Sequence, residues 1–372
     1  MLGKNYESNP PHFGANFWQD WERPVHVEFF EPDGKLGFSL DAGMKIFGAW
    51  SRDFAQRSLA IYARSHYGAG DIDYQIFPDK PITKFESFVL RNSGNDWQST
   101  LFRDAMMQSL IRETDVDIQA YRPAVVILNG VYWGIHNIRE KISEHNLAAH
   151  RGIDPDNIDL LENNGAVIKG DATHYQAMLN YIATHDMKLS ASYDAIKTMM
   201  DVDNFLDYEI AQIYFDNTDW PGNNIKFWRP RTADGRWKWI VFDTDFGFGL
   251  YNPDNYRNNT LAFATEPNGP DWPNPPWATF LLRKLLENPQ FNIDFINRFG
   301  DHLNSIFLPS RVNQRIDAMK AVLEPEIQRH RAKWTGAISN WQQNVQVLKQ
   351  FANYRGGYLK AYLLTNFQLK GT

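Results

Sequence analysis

The chain has 372 residues, a formal net charge of −6 and no cysteine, which excludes disulfides, thiolate metal sites and cysteine nucleophiles. The acidic balance argues against a general nucleic-acid binder, and no apolar run approaches the ~18 residues a membrane-spanning helix requires. The length suits two domains or two lobes, and the 13 Trp, 16 Tyr and 25 Phe predict large aromatic cores and cleft walls.

Residues 1–22 are polar, contain Asn and Pro, and lack the charged-then-apolar order of a signal peptide. They read as an N-terminal extension. From 23 to 142 the chain reads as a β-rich lobe. Strands are predicted at 25–31, 36–40, 44–49, 58–63 and 85–91, separated by turn clusters such as Pro32-Asp33-Gly34 and Asp41-Ala42-Gly43. Leu101, Ala105, Met106 and Leu110 recur at helical spacing, which predicts a helix over 100–113 with Ser99 or Thr100 as N-cap. The most apolar stretch, 124–138, is broken by Asn129, Gly130 and Asn137, so 121–140 reads as a hairpin with an Asn-Gly turn.

Residues 143–372 read as a mainly helical lobe. Helical periodicity covers 172–185, 190–200, 202–217 and most of 276–367. One β-hairpin is predicted inside it, with strands 224–229 and 236–242 around Ala233-Asp234-Gly235. Trp228, Trp237 and Trp239 cluster in this hairpin; Trp237 and Trp239 alternate with Lys238, so they share a face and are expected in the core. Residues 251–277 are rich in Asn and Pro and read as a long surface loop. The expected class is α+β, with ligands taken up in a cleft.

The densest chemistry lies in DNTDWPGNNIKFWRPRTADGRWKWIVFDTDFGFG (216–249). Asp219 leaves a helix into a Pro-Gly loop, Asn224 follows five residues later, and a hairpin leads into Asp243-Thr244-Asp245-Phe246-Gly247. That is the order of a protein-kinase catalytic loop and metal-binding motif. Phosphoryl transfer asks for a carboxylate at the nucleophile's proton and hard oxygen ligands for magnesium. Asp219 suits the first role; Asn224, Asp243 and Asp245 suit the second. If the strand continues through Thr244, both aspartates face one side, an arrangement that a cation between them would relieve. Without such chemistry, Asp219 would cap a turn and the two aspartates would end a strand. Asn217-Thr218 replaces the usual His-Arg before the catalytic Asp, and no Gly-x-Gly-x-x-Gly loop precedes an Ala-Ile-Lys strand.

Three further runs accompany this segment: GMKIFGAWSRDFAQRSLAIYARSHYG (43–68), FVLRNSGNDWQSTLFRDAMMQSL (88–110) and YRPAVVILNGVYWGIHNIREKISEHNL (121–147). With them, the chain resembles the spore-coat CotH kinase family over most of its length. The resemblance implies an atypical protein-kinase-like, two-lobed fold that binds ATP and Mg2+ and phosphorylates protein Ser/Thr hydroxyls. Asp219 matches the family's catalytic Asp, and Asn224 with Asp243 and Asp245 its metal-binding segment. Arg52 and Arg57 match the basic positions of the β-rich lobe; Arg57 stands where family members commonly carry Lys, and a guanidinium fork is not equivalent to an ammonium. Lys45 is a further phosphate contact, balanced against a solvent-facing strand lysine. Glu140 lies where the hairpin would meet a hinge, although Arg139-Glu140-Lys141 also reads as a solvated charge run. Arg103-Asp104 reads either as an orienting pair beside the site or as a surface ion pair. His136, His145, His150, His174 and His185 show no tight metal spacing and are expected in core or surface roles.

The resemblance further implies a cell-surface or coat protein as substrate, an extracellular or cell-envelope setting, and a domain excised from a longer bacterial protein. Two other readings compete. Asp243-Thr244-Asp245 after an apolar strand is also the DxD arrangement of metal-dependent nucleotide-sugar transferases. Arg57 keeps open a non-catalytic kinase-fold scaffold. The sequence leaves the phosphoacceptor and the oligomeric state open.

Overall fold

Val25, Val27 and Phe29 alternate with exposed residues along β1 (Arg23–Phe30) and turn one face toward a core. β2 (Leu36–Phe47) is a single strand of 12 residues, where two short ones were expected. Asp41-Ala42-Gly43 does not turn, because each residue is paired on β1: His26 opposite Asp41, Val25 opposite Ala42 and Pro24 opposite Gly43. The strand is also sealed at Gly43, where a Cβ would stand 2.4 Å from the Glu22 carboxyl. In this computed structural model residues 2–369 are described.

β3 (Ser58–Tyr62), the two-residue strands β4 (Ile72–Asp73) and β5 (Lys84–Phe85), and β6 (Ser87–Arg91) follow. α1 (Arg103–Leu110) begins later than its periodicity predicts. Asp96 binds the Thr100 amide at 3.1 Å and its hydroxyl at 2.6 Å, and Leu101 sits at φ 71°, a left-handed backbone that no helix tolerates. After β7 (Asp117–Ile118) comes the expected hairpin, β8 (Tyr121–Leu128) and β9 (Val131–Glu140). Its turn residues Asn129 and Gly130 have φ of 50° and 75°, the conformation that Asn-Gly supplies.

The remaining elements are α2 (Glu144–Arg151), β10 (Ile158–Glu162), β11 (Ala166–Lys169), α3 (Thr173–Thr184), α4 (Ser190–Met199) and α5 (Val202–Phe215). Then come β12 (Lys226–Pro230), β13 (Lys238–Val241), α6 (Thr260–Ala264), α7 (Pro276–Leu285), α8 (Pro289–Leu303), α9 (Pro309–Lys333) and α10 (Trp341–Asn366). The fold is α+β. Among the described residues no helix is long and apolar enough to cross a membrane.

The chain divides into two units. The first takes the chain up to Phe102, then Gln119–Ile153 and Val322–Ser339. It holds an antiparallel sheet of order β1-β2-β3-β6-β9-β8, whose inner face packs Ile61, Phe88 and Ile138 against Ile76 and Phe77. The end of α9 closes on β9 at Gly134 (φ 94°), where any Cβ would meet the His330 ring at 2.8 Å.

The second unit takes Arg103–Ile118, Asp154–Ala321 and the chain from Asn340 onward. Its sheet runs β11-β10-β12-β13-β7, antiparallel except for the β13–β7 edge. Trp237 and Trp239 are buried, as their alternation predicts, Trp228 is buried too, and Phe227 lies 5.5 Å from the Trp237 ring. The β10–β11 hairpin falls in a region read as helical. β10 hides its period because Asp159 is buried as deeply as its apolar neighbours, held by Arg229 at 2.9 Å.

Candidate active site

α5 is buried along almost its whole length and ends at Asp216, whose left-handed φ of 52° turns the chain out of the helix. The turn is fixed by Arg355 of α10. Its guanidinium donates to the carbonyls of Ile213 (2.7 Å) and Tyr214 (3.1 Å), and reaches those of Tyr256 and Asn258. Asp216 in turn accepts from Asn258 at 2.9 Å and from the Thr260 hydroxyl. Burial raises the Asp216 carboxyl above its usual range, with the Arg355 charge opposing that rise.

The loop beyond holds Asp219, 8% exposed. Its Oδ2 accepts from Asn224 at 2.8 Å and from Asn223 at 3.0 Å, and its Oδ1 accepts from the Trp272 indole at 2.8 Å. Burial raises its pKa and the nearby Asp243 charge adds to the rise, while the three donors pull it down. Asn217 and Thr218, which replace His-Arg, have structural work here. Asn217 accepts from the Asp219 amide and donates to Gln212, and Thr218 donates to the Phe246 carbonyl at 3.3 Å.

Asp243 and Asp245 do not lie along one strand face. β13 ends at Val241, and Asp243 adopts φ 51°, so the chain turns rather than alternating. Asp243 is half-buried and Asp245 is buried. Thr244 between them is pinned by α1: its amide and hydroxyl donate to Asp104 Oδ1 at 2.9 and 3.0 Å. Arg103 donates to the carbonyls of Gly247 (3.3 Å) and Phe248 (2.5 Å). Arg103 and Asp104 are thus buried and orient this segment; they are not a surface ion pair. Asn224 closes the site, its amide nitrogen shared between Asp219 Oδ2 and the Asp243 carbonyl at 3.4 Å. Asp219, Asn224 and the Asp243–Asp245 turn therefore form one hydrogen-bonded assembly in the second unit. Among the described residues no three His, Asp or Glu side chains gather as a metal cage. A magnesium ion held mainly by phosphate oxygens and water needs only one or two carboxylates.

The basic candidates and Glu140 belong to the first unit. Lys45 sits 3.2 Å from Asp20 and 3.9 Å from Glu22, so it is an ion-paired lysine on its strand. Arg52 donates to the carbonyls of Gly48 (2.7 Å) and Trp18 (3.2 Å). Arg57 lies 4.4 Å over the Phe17 ring, with Nε buried and without a hydrogen bond among the described residues. Burial lowers the Arg57 pKa, against the opposing charge of Asp53. Glu140 is 1% exposed, which removes the solvated charge run. Burial works to raise its carboxyl, but the hydrogen bond from His150 (2.6 Å), the Lys80 ammonium (2.7 Å) and their charges bring it to about 2. His136 is fully buried and His150 is tied to Glu140, in keeping with roles in the fold.

Trp272, Asp216 and Arg355 went unread in the sequence. Trp272 lies in the Pro-rich segment between α6 and α7, within a stretch read as one long loop, and Arg355 is one cation on a long helix; neither carries a local pattern. None of the curated proteins compared matches the chain. The family model described as CotH kinase protein matches residues 44–359, a span that holds every candidate discussed above. The chain belongs to the CotH kinase protein family.

Proposed function

We propose that the protein is an ATP- and Mg2+-dependent phosphotransferase with a two-lobed, kinase-like arrangement, acting on Ser or Thr hydroxyls of a protein substrate at a cell surface or envelope. The observation that carries this reading is the Asp219 carboxyl, withdrawn from solvent and held by Asn223, Asn224 and Trp272 beside the Asp243–Asp245 turn. Asp219 accepts the proton of the attacking hydroxyl as its oxygen bonds to the γ-phosphorus. The bond from that phosphorus to the β-phosphate oxygen breaks, and ADP leaves with the electron pair.

Magnesium, when bound, neutralises the charge that develops on the phosphate oxygens. Asp245 and Asp243 would supply its carboxylates. Asn224, whose amide nitrogen is taken up by Asp219 and the Asp243 carbonyl, keeps its amide oxygen outside those bonds. This donor set is hard oxygen throughout, the kind magnesium prefers. Asp104 and Arg103 hold the turn in place.

Thermal unfolding with Mg-ATP, Mg-UDP-glucose and neither tests the reading. A magnesium-dependent shift with ATP alone is expected. Asp219→Ala should then abolish transfer to a protein acceptor while retaining that shift, and Asp245→Ala should reduce the shift itself. A shift with the nucleotide sugar instead would transfer the assignment to a glycosyltransferase. No shift with either would leave a kinase-fold scaffold.

A further inference from the structure

Behind the Asp219 loop, the second unit contains a cavity of about 100 Å³ walled by aromatic side chains, with one acidic residue in its lining. Tyr208, Trp220, Phe227 and Trp239 are buried walls, and Trp277 is a half-buried residue at its edge. Glu209 of α5 is the acid. It is 6% exposed, and among the described residues no hydrogen bond or ion pair reaches its carboxyl.

A carboxyl left without a partner in such surroundings is costly, and native folds seldom keep one without a use. Nothing in its role on α5 requires an acid: the neighbouring positions Phe205, Leu206, Ile210 and Ile213 are apolar and buried. The Tyr208 hydroxyl accepts from Trp220 at 3.1 Å, and among the described residues it makes no hydrogen bond to Glu209. Burial holds the Glu209 carboxyl well above its usual range, as follows for an acid with no counter-charge. The walls supply the complementary half of a recognition site, because ring faces attract cations and tolerate their alkyl groups.

We propose that this cavity is a binding site for an alkylammonium group, held by the Glu209 carboxylate and the surrounding ring faces. The volume admits a small alkylammonium ion, and is too small for a nucleotide or a sugar ring. A single acid suits one positive charge, and the other polar side chains of the lining, Asn163 and Asn164 among them, carry none. Trp220 follows Asp219 directly, so the ligand would lie against the reverse side of the same loop. The site stands whether or not Asp219 serves phosphoryl transfer.

The full chain is titrated by calorimetry and thermal unfolding with n-butylammonium chloride, which reproduces the lysine side chain. Tetramethylammonium chloride, n-butanol and sodium chloride serve as companions. Saturable binding of at least one organic cation with a raised unfolding midpoint is expected, and no effect from n-butanol or sodium chloride. Glu209→Gln keeps the shape and removes the charge, and should weaken binding about tenfold or more. Trp277→Ala, at the edge of the cavity, should do the same and decides the matter if Glu209→Gln fails to fold. Tighter binding of a lysine peptide than of n-butylammonium would identify a peptide side chain as the source. Preference for tetramethylammonium would identify a free quaternary amine. Absence of saturable binding by either cation, an equal response to n-butanol, or unchanged affinity in both variants would overturn the proposal.

Discussion

Trp272 donates its indole N–H to Asp219 Oδ1 at 2.8 Å, on the opposite carboxylate oxygen from the two asparagines. The indole fixes the carboxylate plane and occupies one lone pair, so that both oxygens of Asp219 are held from the protein side. Trp272 is itself 59% exposed, an unusual position for a residue that buries a catalytic candidate. It acts as a cover as well as a donor.

Trp272→Phe keeps the ring and removes the donor. Under the phosphotransfer reading, kcat should fall about tenfold, with little change in the KM for ATP, because the loss falls on orientation of the base. Steady-state kinetics on the variant check this. A change confined to KM would show that Trp272 touches the nucleotide and does not position Asp219.

Arg355 is fully buried, and its hydrogen bonds hold the carbonyls at the end of α5. Arg355→Met fills similar space but leaves Asp216 as a buried acid without its cation, 3.9 Å away in the native fold. The expected loss of stability is about 3–5 kcal/mol, measured by urea unfolding. Arg355→Lys should recover little of it, since one ammonium cannot reach carbonyls on both sides of the turn. Full recovery by lysine would mean that charge alone, not the fork, supports Asp216.

The main hairpin and the helices were legible because their signals are local: the Asn129-Gly130 turn, and apolar residues recurring along α3, α4 and α5. Asp219, Asn224 and Asp245 could be read as one group because their order along the chain is itself the motif. What failed depended on partners and backbone turns that leave no periodic signal. The expected break in β2 at Asp41-Ala42-Gly43 vanished because β1 pairs through it. The shared face of Asp243 and Asp245 vanished at one left-handed residue. α1 started late because Asp96 captured Thr100. The donor to Asp219 from residue 272 crosses 53 positions of sequence, a distance no spacing argument covers.

Asp104 offers a test of how the Asp243–Asp245 turn is held and, under the phosphotransfer reading, of whether that turn binds Mg2+. Its Oδ1 receives both the amide and the hydroxyl of Thr244, and also the Gln108 side chain at 2.8 Å. Asp104→Ala leaves the buried Thr244 amide without an acceptor and should cost about 2 kcal/mol of stability. Because Thr244 separates Asp243 from Asp245, Mg2+-dependent nucleotide affinity should fall further than Mg2+-free affinity. Calorimetric titrations with and without Mg2+ measure that difference. Equal losses in both would assign Asp104 to the fold alone.

Two buried histidines should make the first unit acid-sensitive. His136 donates from Nε2 to the Arg57 carbonyl at 3.1 Å and accepts at Nδ1 from Gln56 at 3.2 Å, which uses both nitrogens of a neutral ring. His330 accepts the Ile135 amide at 3.0 Å, also as a neutral ring. Burial lowers each pKa to about 4, and for His136 backbone hydrogen bonds oppose the fall. Both folded values lie below the unfolded one, so the unfolded chain binds more protons across that window. The stabilisation is complete above about pH 6.5 and is lost as pH falls toward about 4, by about 3 kcal/mol for each ring at the lower end. Urea unfolding across this range should show stability falling with acid. His330→Gln should reduce that slope, because glutamine offers an acceptor to Ile135 and carries no proton to gain. A slope unchanged by that replacement would place the acid sensitivity elsewhere, with the carboxylates of the paired networks such as Glu140 the next to examine at still lower pH.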